Sequence, residues 1–318
     1  MCVMMEPIGK NNNDIMSNYQ LKTPVVFIIF NRPETTKKVF EKIKKAKPPK
    51  LLVIADGPRK NSLEDKKNCA AARKIIDKID WDCEILKNYS NINLGLSKRV
   101  SSGLEWVFKN VNRAIILEDD CLPNPTFFRF CEELLEKYED NEKIISITGQ
   151  NMQFNKKRGN ASYYFSKFFH CWGWATWKRA WNLFDYNMDN LDMFIKNGKK
   201  ILNDNYAYKV WKEVFLKTKK GYINSWANRF MLANFLNKGL NIIPNVNLVT
   251  NIGGNKKGTN QTKKSRYNDV AHRKMYFPLM HPLNIYFHNK ADKFIQRTLF
   301  DYKANILKRA FKKIFIYR

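Results

Sequence analysis

Three short apolar runs within the first 120 residues each stop abruptly at charge, and this constrains the fold more than any other feature of the chain. Pro24 to Phe30 runs into Asn31-Arg32-Pro33-Glu34, Leu51 to Ala55 into Asp56-Gly57-Pro58-Arg59, and Ala114 to Leu117 into Glu118, Asp119 and Asp120. Runs this short and β-branched are buried-type strands. Segments of helical period lie between them. Val39, Phe40 and Ile43 give an inner face after the first run, where Asn31 and Glu34 have capping-box spacing. Lys66 to Ile79 reads as a second helix and Cys83 to Leu86 as a further strand, and Val100, Leu104, Val107, Phe108 and Val111 mark a helix before the acidic run. Phe127, Phe130, Leu134 and Tyr138 follow as a helix, then Ile144 to Thr148 as a strand. Strands and helices in alternation need crossover connections, so the expected class is α/β, with a mostly parallel sheet flanked by helices.

In an open sheet of this kind ligands bind outside the carboxyl ends of the strands. Arg32, Asp56, Arg59 and the acidic triplet all fall at that edge, around one crevice. Adjacent carboxylates repel and are costly to bury unpaired, so a hard divalent cation is their natural compensation. Taken alone, the triplet reads more readily as a solvated turn before Pro123-Asn124-Pro125. Taken together, the groups suit a nucleoside diphosphate joined to something else. The cations and a metal would hold the phosphates, the lone Asp56 a base N–H, and the triplet the metal and ribose hydroxyls. The patterns GxGxxG and GxxxxGK[ST] are both absent, which disfavours a dinucleotide enzyme and a P-loop ATPase.

Charge narrows the partners without choosing among them. With 57 Lys and Arg against 29 Asp and Glu, the formal charge is +28. Partners should be anionic: nucleic acid, an acidic membrane surface or phosphorylated small molecules. Abundant Lys, Asn and Ile is also what an AT-rich genome would yield, which weakens inference from charge alone. Six cysteines, at 2, 69, 83, 121, 131 and 171, show no CxxC pair. That argues against a zinc knuckle or disulfide scaffold and fits a reduced compartment. No basic start leads into an apolar stretch, and no run is long enough to span a bilayer, so the expected location is cytoplasmic. Residues 1–20 read as a disordered lead, with Met16 as an alternative start.

The ordered motifs VVFIIFNRPE, LLVIADGPR, NLGLSKRVSSGLEWVF and AIILEDDCLPNPTFFRFCEELLEKY resemble glycosyltransferases of the GT-A (Rossmann-like) fold. The closest likeness is to the N-acetylglucosaminyltransferase that starts N-glycan branching, and to bacterial HlpA-like or family 2-like sugar transferases. It covers roughly residues 24–150 and continues more thinly to about 255. The resemblance implies a GT-A domain over 21–255 that transfers a hexosyl or N-acetylhexosaminyl group from a nucleotide sugar, a UDP-sugar by preference, with Mn2+ or Mg2+ as cofactor. It assigns Arg32 to the nucleotide and Asp56 to the uracil N–H, with Arg59 and Lys98 as further donor-binding groups. The EDD triplet corresponds to the DxD motif: Asp120 to the metal, Asp119 to the metal, its bound water or the ribose, Glu118 to the donor sugar or ribose. Implied partners are the donor and a glycan or lipid-linked acceptor of bacterial surface polysaccharide or lipopolysaccharide, not nucleic acid.

The acceptor side is expected in the middle of the chain. The loop Phe168 to Trp177 is dense in aromatics; Trp174 resembles the family's Gly-x-Gly-Trp loop, and Gly173 suits close approach to a ligand. His170 reads as a structural partner rather than a metal ligand. Inverting relatives carry a catalytic Asp on a Trp-led helix, where this chain has Trp226-Ala227-Asn228. Asn228 holds the position without being a base, leaving Asp185, Asp189 or Asp192 to supply one, or a non-inverting reaction. A Gly-rich basic loop with Lys256, Lys257, Lys263 and Lys264 is either a cover over the diphosphate or a solvated loop. From Asp292, Ile295, Leu299, Tyr302, Ile306, Ala310 and Ile314 share one helical face among many cations. That basic helical C-terminal extension, within 256–318, suits peripheral contact with an anionic inner-membrane surface, or packing on the domain or a partner subunit. The alternatives in function are a nucleotidyltransferase making the nucleotide sugar, a degenerate transferase fold kept for binding, and a protein that binds anionic surfaces through charge alone.

Overall fold

The computed structural model describes residues 19–154, 156–254 and 270–300. The charged ends of the apolar runs coincide with strand ends. β1 is Val25–Ile29, β2 Lys50–Ala55, β3 Glu84–Tyr89 and β4 Arg113–Glu118, with α1 (Pro33–Ala46), α2 (Leu63–Ile76) and α3 (Leu96–Asn110) between them. β3 lies further along than its apolar residues suggest, because pairing with β2 from Lys50↔Glu84 to Ala55↔Tyr89 sets its bounds. It is an edge strand, and exposed Glu84 is tolerated there. The expected capping box at α1 does not form. Arg32 is the N-cap and makes no capping bond, Pro33 opens the helix, and the Asn31 amide donates instead to Asp65. α2 begins earlier than expected because the Ser62 hydroxyl accepts from Asp65 N.

The remaining elements are β5 (Cys121–Pro123), α4 (Thr126–Lys137), β6 (Ile144–Thr148), β7 (Tyr163–Ser166), β8 (Trp174–Trp177), α5 (Lys178–Trp181), α6 (Leu191–Leu202), α7 (Asn205–Lys219), α8 (Trp226–Leu236), β9 (Leu240–Pro244), β10 (Val249–Asn251) and α9 (Asn289–Thr298). The main sheet runs β3-β2-β1-β4-β8-β6-β9-β7. Its core is parallel, β8 enters antiparallel between β4 and β6, and β7 closes the edge antiparallel to β9. The α/β class and the mostly parallel sheet flanked by helices are therefore as expected.

Both faces of the sheet are covered. Alternate residues of β1 point to opposite sides. Val25, Phe27 and Ile29 join Phe40, Ile43 and Phe130 in one core, while Val26 and Ile28 join Leu104, Phe108 and Phe230 in the other. Two parts of the sequence expectation change in three dimensions. The aromatic stretch is not all loop, since Trp174 to Trp177 is an inner strand. Trp174 is fully buried, its ring 4.9 Å from Phe169 and 5.5 Å from Trp226. The start of the C-terminal extension packs on the body: α9 buries Ala291, Asp292, Ile295 and Gln296, with Asp292 accepting from the Ser166 hydroxyl. Residues 301–318, and with them Tyr302, Ile306, Ala310 and Ile314, lie outside the described residues. No described helix is long and apolar enough to cross a membrane.

Candidate functional site

Register decides which side chains meet. Ile28 of β1 pairs with Glu118 of β4, and Ile29 pairs with Ala55 of β2, so all three strands end together. Their next residues, Phe30 to Arg32, Asp56, and Asp119 with Asp120, emerge at one edge. A cleft there is lined by Phe30, Arg32, Asp56, Arg59, Asn93, Gly95, Arg99, Glu118 and Asp119.

At the β4 corner a single guanidinium spans two carboxylates. Arg32 donates from Nη2 to Asp119 Oδ1 at 2.5 Å and from Nη1 to Asp120 Oδ2 at 2.9 Å. The second oxygen of Asp119 accepts from Phe30 N at 3.2 Å. Burial, reinforced by the negative charges of Asp120 and Asp119, holds the Glu118 carboxyl above its ordinary range. Burial also raises Asp119, with Arg32 opposing it. Desolvation works against the Arg32 charge, yet Asp119 and Asp120 hold its proton more tightly than usual. The ladder between β5 and β10 pairs Asn251 with Cys121 and lays the following backbone over this corner, where Ile252 N donates to Asp120 O. A Cβ on Gly253 would stand 2.2 Å from Asp120 Oδ2 and 2.9 Å from Arg32 Nη1. Only glycine leaves that space open.

This donor set fits a hard divalent cation in one specific way. Asp119 and Asp120 offer carboxylate oxygens, and no described group of three or more His, Cys, Asp or Glu could enclose an ion alone. Magnesium and manganese chemistry with nucleotides uses one or two carboxylates and takes the remaining oxygens from phosphates and water. Arg32 meanwhile supplies the positive charge the acids need.

The β2 corner is built differently. Asp56 Oδ1 accepts from Gly57 N and Leu94 N, both at 2.9 Å. Oδ2 accepts from the Asn93 amide at 3.1 Å and Gly95 N at 3.0 Å. The carboxylate thus holds the β3–α3 loop, and its four acceptor positions are filled. Gly57 is required here, because a Cβ would meet the Ile92 backbone at 2.5 Å. Arg59 also has a partner already. Its Nε and Nη2 fork onto Asp65, which accepts as well from Arg59 N and the Asn31 amide. The Arg59 guanidinium lies 5.9 Å from the Phe30 ring centroid.

The cleft contains residues that sequence reasoning missed. Lys98 is exposed and is not among the lining residues, whereas its neighbour Arg99 is buried and lines the cleft. Arg99 donates to Ala55 O, Asn88 O and Asn88 Oδ1. Its one sequence signal is a cation beside the apolar face that begins at Val100. Cys171 lies close enough to the triplet for Glu118 and Asp120 to raise its thiol pKa beyond the effect of burial. The aromatic segment therefore approaches the site at Cys171, while Trp174 faces the core. Gly173, at φ +66°, admits Val249 rather than leaving room for a ligand, since a Cβ would meet Val249 at 2.6 Å. His170 is buried, stacked on Phe300 and lowered to about 4 by burial, as befits a structural group.

Asn228 is not brought to the acid triplet. Its amide donates to the Thr218 hydroxyl, and it shares an apolar pocket with Val210, Trp211 and Ile223. Of the three acids considered as bases, Asp185 staples a turn by accepting from Asn187, Met188 and Asp189 N–H groups. Asp189 and Asp192 are exposed. Arg229 bridges that turn, through Tyr186 O, to Ser97 at the start of α3. Lys256, Lys257, Lys263 and Lys264 fall outside the described residues.

No protein-family model matches the chain, and no curated protein matches it. Among solved structures, it is similar to a mannosyltransferase from Pyrobaculum calidifontis in complex with GDP-Man and Mn2+, at 11% identity and TM-score 0.38, over 68% of this chain and 69% of that one. It is also similar to a UDP-glucose pyrophosphorylase complexed with UDP-glucose, at 14% identity and TM-score 0.27, over 46% of this chain and 62% of that one. A third similarity is to a 4-diphosphocytidyl-2C-methyl-D-erythritol synthase from Anaerococcus prevotii, at 10% identity and TM-score 0.33, over 54% and 83%. At such values the chemistry has to be argued from the site itself.

Proposed function

We propose that the chain is a metal-dependent glycosyltransferase, moving a sugar from a nucleotide sugar, a UDP-sugar by preference, to a glycan or lipid-linked acceptor of bacterial surface polysaccharide or lipopolysaccharide. The observation that carries this is the meeting of Asp119 and Asp120 with Arg32 at the edge of the cleft whose other wall is the Asp56 loop. Asp119 and Asp120 would hold Mn2+ or Mg2+, which when bound neutralises charge on the departing diphosphate. Arg32 offers a planar fork matched to phosphate oxygens. Glu118, beside them, orients the donor sugar. With its carboxylate filled, Asp56 shapes the base pocket by fixing Asn93, Leu94 and Gly95, and the Phe30 ring gives that pocket an apolar wall.

The nucleotidyltransferase alternative needs a loop that cradles a triphosphate after β1. Here the chain passes from Arg32 directly into α1 through Pro33. Calorimetric titration of UDP, GDP and CDP into wild type and Asp120→Ala, with Mn2+ and with chelator, tests the proposal. Wild type should bind UDP only with metal, and the variant should not. Binding of no nucleoside diphosphate, or binding indifferent to both metal and substitution, would overturn it. Turnover of UTP with a sugar phosphate would install the alternative.

A further inference from the structure

We propose that Arg32 is the resident counter-ion of the acid pair and that donor binding is an exchange. The guanidinium gives up Asp119 and Asp120 to the arriving cation and turns its fork to the diphosphate. This rests on the donor-site proposal and goes beyond it, because it makes Arg32 a competitor of the metal before it becomes a ligand of the nucleotide.

Geometry sets up the competition. Asp119 has one oxygen on Arg32 and the other on Phe30 N, and Asp120 gives Oδ2 to Arg32. Among the described residues the remaining Asp120 oxygen has only the long Cys121 Sγ contact of 3.6 Å. A cation drawing on both carboxylates thus approaches a pair already partly neutralised by Arg32, and any ligation through Asp119 Oδ1 or Asp120 Oδ2 displaces the guanidinium. The guanidinium has no bonded side-chain partners other than these two acids among the described residues. Its release thus leaves no further polar group orphaned. Its backbone, by contrast, is fixed at the N-cap of α1 by Pro33, with Arg32 O accepting from Thr36 N. A fixed root and a single pair of exchangeable contacts describe a side chain that can swing without unfolding anything. Gly253 brings only backbone against the flank of the pair, where a Cβ would meet Asp120 Oδ2 and Arg32 Nη1. Two carboxylates and one guanidinium sum to −1; a dication in the guanidinium's place brings the acid pair to 0, and the guanidinium turned to the anionic diphosphate adds +1. The corner thus changes sign only when the donor's metal arrives.

Removing the competitor should strengthen metal binding while weakening nucleotide binding, and that opposition is the test. Mn2+ affinity without nucleotide, read from the free-ion electron paramagnetic resonance signal, should rise about tenfold in Arg32→Met, the scale of one lost charge-assisted contact. It should also rise severalfold in Arg32→Lys, which keeps the charge but cannot span both acids. UDP affinity at saturating Mn2+ should fall about tenfold in Arg32→Met. Near-ultraviolet circular dichroism confirms the fold, and if Arg32→Met fails it, Arg32→Lys decides alone. Mn2+ affinity of Arg32→Lys equal to or weaker than wild type overturns the exchange, even while wild type binds UDP with metal. A wild type that binds no UDP at any Mn2+ concentration overturns instead the donor-site proposal beneath it.

Discussion

At the end of β4, Asp119 and Asp120 share one guanidinium; at the end of β2, across β1, Asp56 is surrounded by four N–H donors from a single loop and its own turn. Both corners lie at the same edge, and both answer the cost of placing carboxylates where water is scarce. The means differ, and so do the consequences. An ionic partner on a flexible side chain can be exchanged for another cation. Backbone donors cannot leave without the loop leaving too. The β4 corner is therefore suited to binding, and the β2 corner to holding the shape into which something binds.

The sharpest break between the corners is in stability. Asp56→Ala would strand the Gly57, Leu94 and Gly95 N–H groups and leave the Asn93 amide only Gly57 O, and should cost about 3 kcal/mol, read from the urea midpoint. Asp120→Ala leaves Arg32 on Asp119 and should cost under about 1 kcal/mol. The same two variants should reverse order in binding. Asp120→Ala should lose about 100-fold in metal-dependent UDP affinity, or roughly 2.7 kcal/mol. If instead Asp120→Ala unfolds the protein and Asp56→Ala does not, the division into a binding corner and a scaffold corner is wrong. A smaller effect probes the flank of the β4 corner. Gly253→Ala puts a methyl 2.2 Å from Asp120 Oδ2, so the carboxylate must turn away. Metal-dependent UDP affinity should fall about tenfold with the urea midpoint little changed, because the displaced atom ends a side chain rather than a backbone.

The strand ends were legible because a short apolar run that stops at charge has few other folds open to it. The triplet, Arg32 and Asp56 were found that way, and each lines or borders the cleft. What escaped was decided by partners distant in sequence. Asp65, just before the helix expected from Lys66, carries no signal of its own in the sequence, yet the packing of α2 buries it beneath Arg59 and Asn31. Gly253 acquires meaning only when the β5–β10 ladder brings it 133 positions back to Asp120. Trp174 misled for the converse reason. Aromatic density marks a sugar platform and a core strand alike, and only the pairing of β8 between β4 and β6 separates them.

Asp65 itself sets the last and smallest comparison, since it combines the two modes: it accepts from the Arg59 guanidinium and also from Arg59 N and the Asn31 amide. The Arg59 side-chain bond, ahead of Asn31 and the backbone, lowers the Asp65 carboxyl from 3.8 to about 2. A group whose folded pKa is depressed gives its stabilisation fully above the unfolded value and loses it as pH falls through the folded one. Wild type should therefore exceed Asp65→Asn in urea stability at pH 5, by a gap that narrows at pH 3.5 and nearly closes by pH 2. The Arg59 side chain is 58% exposed, so solvent screens the ionic part, which should be worth less than about 1 kcal/mol. Comparing variant with wild type at each pH cancels the other carboxylates that protonate in the same range. Because Asp65 does not line the cleft, UDP affinity in Asp65→Asn should change by less than about threefold. A gap that stays constant with pH would mean the neutral donors alone hold Asp65, placing it with Asp56 in the scaffold and freeing Arg59 to join Arg32 at the diphosphate.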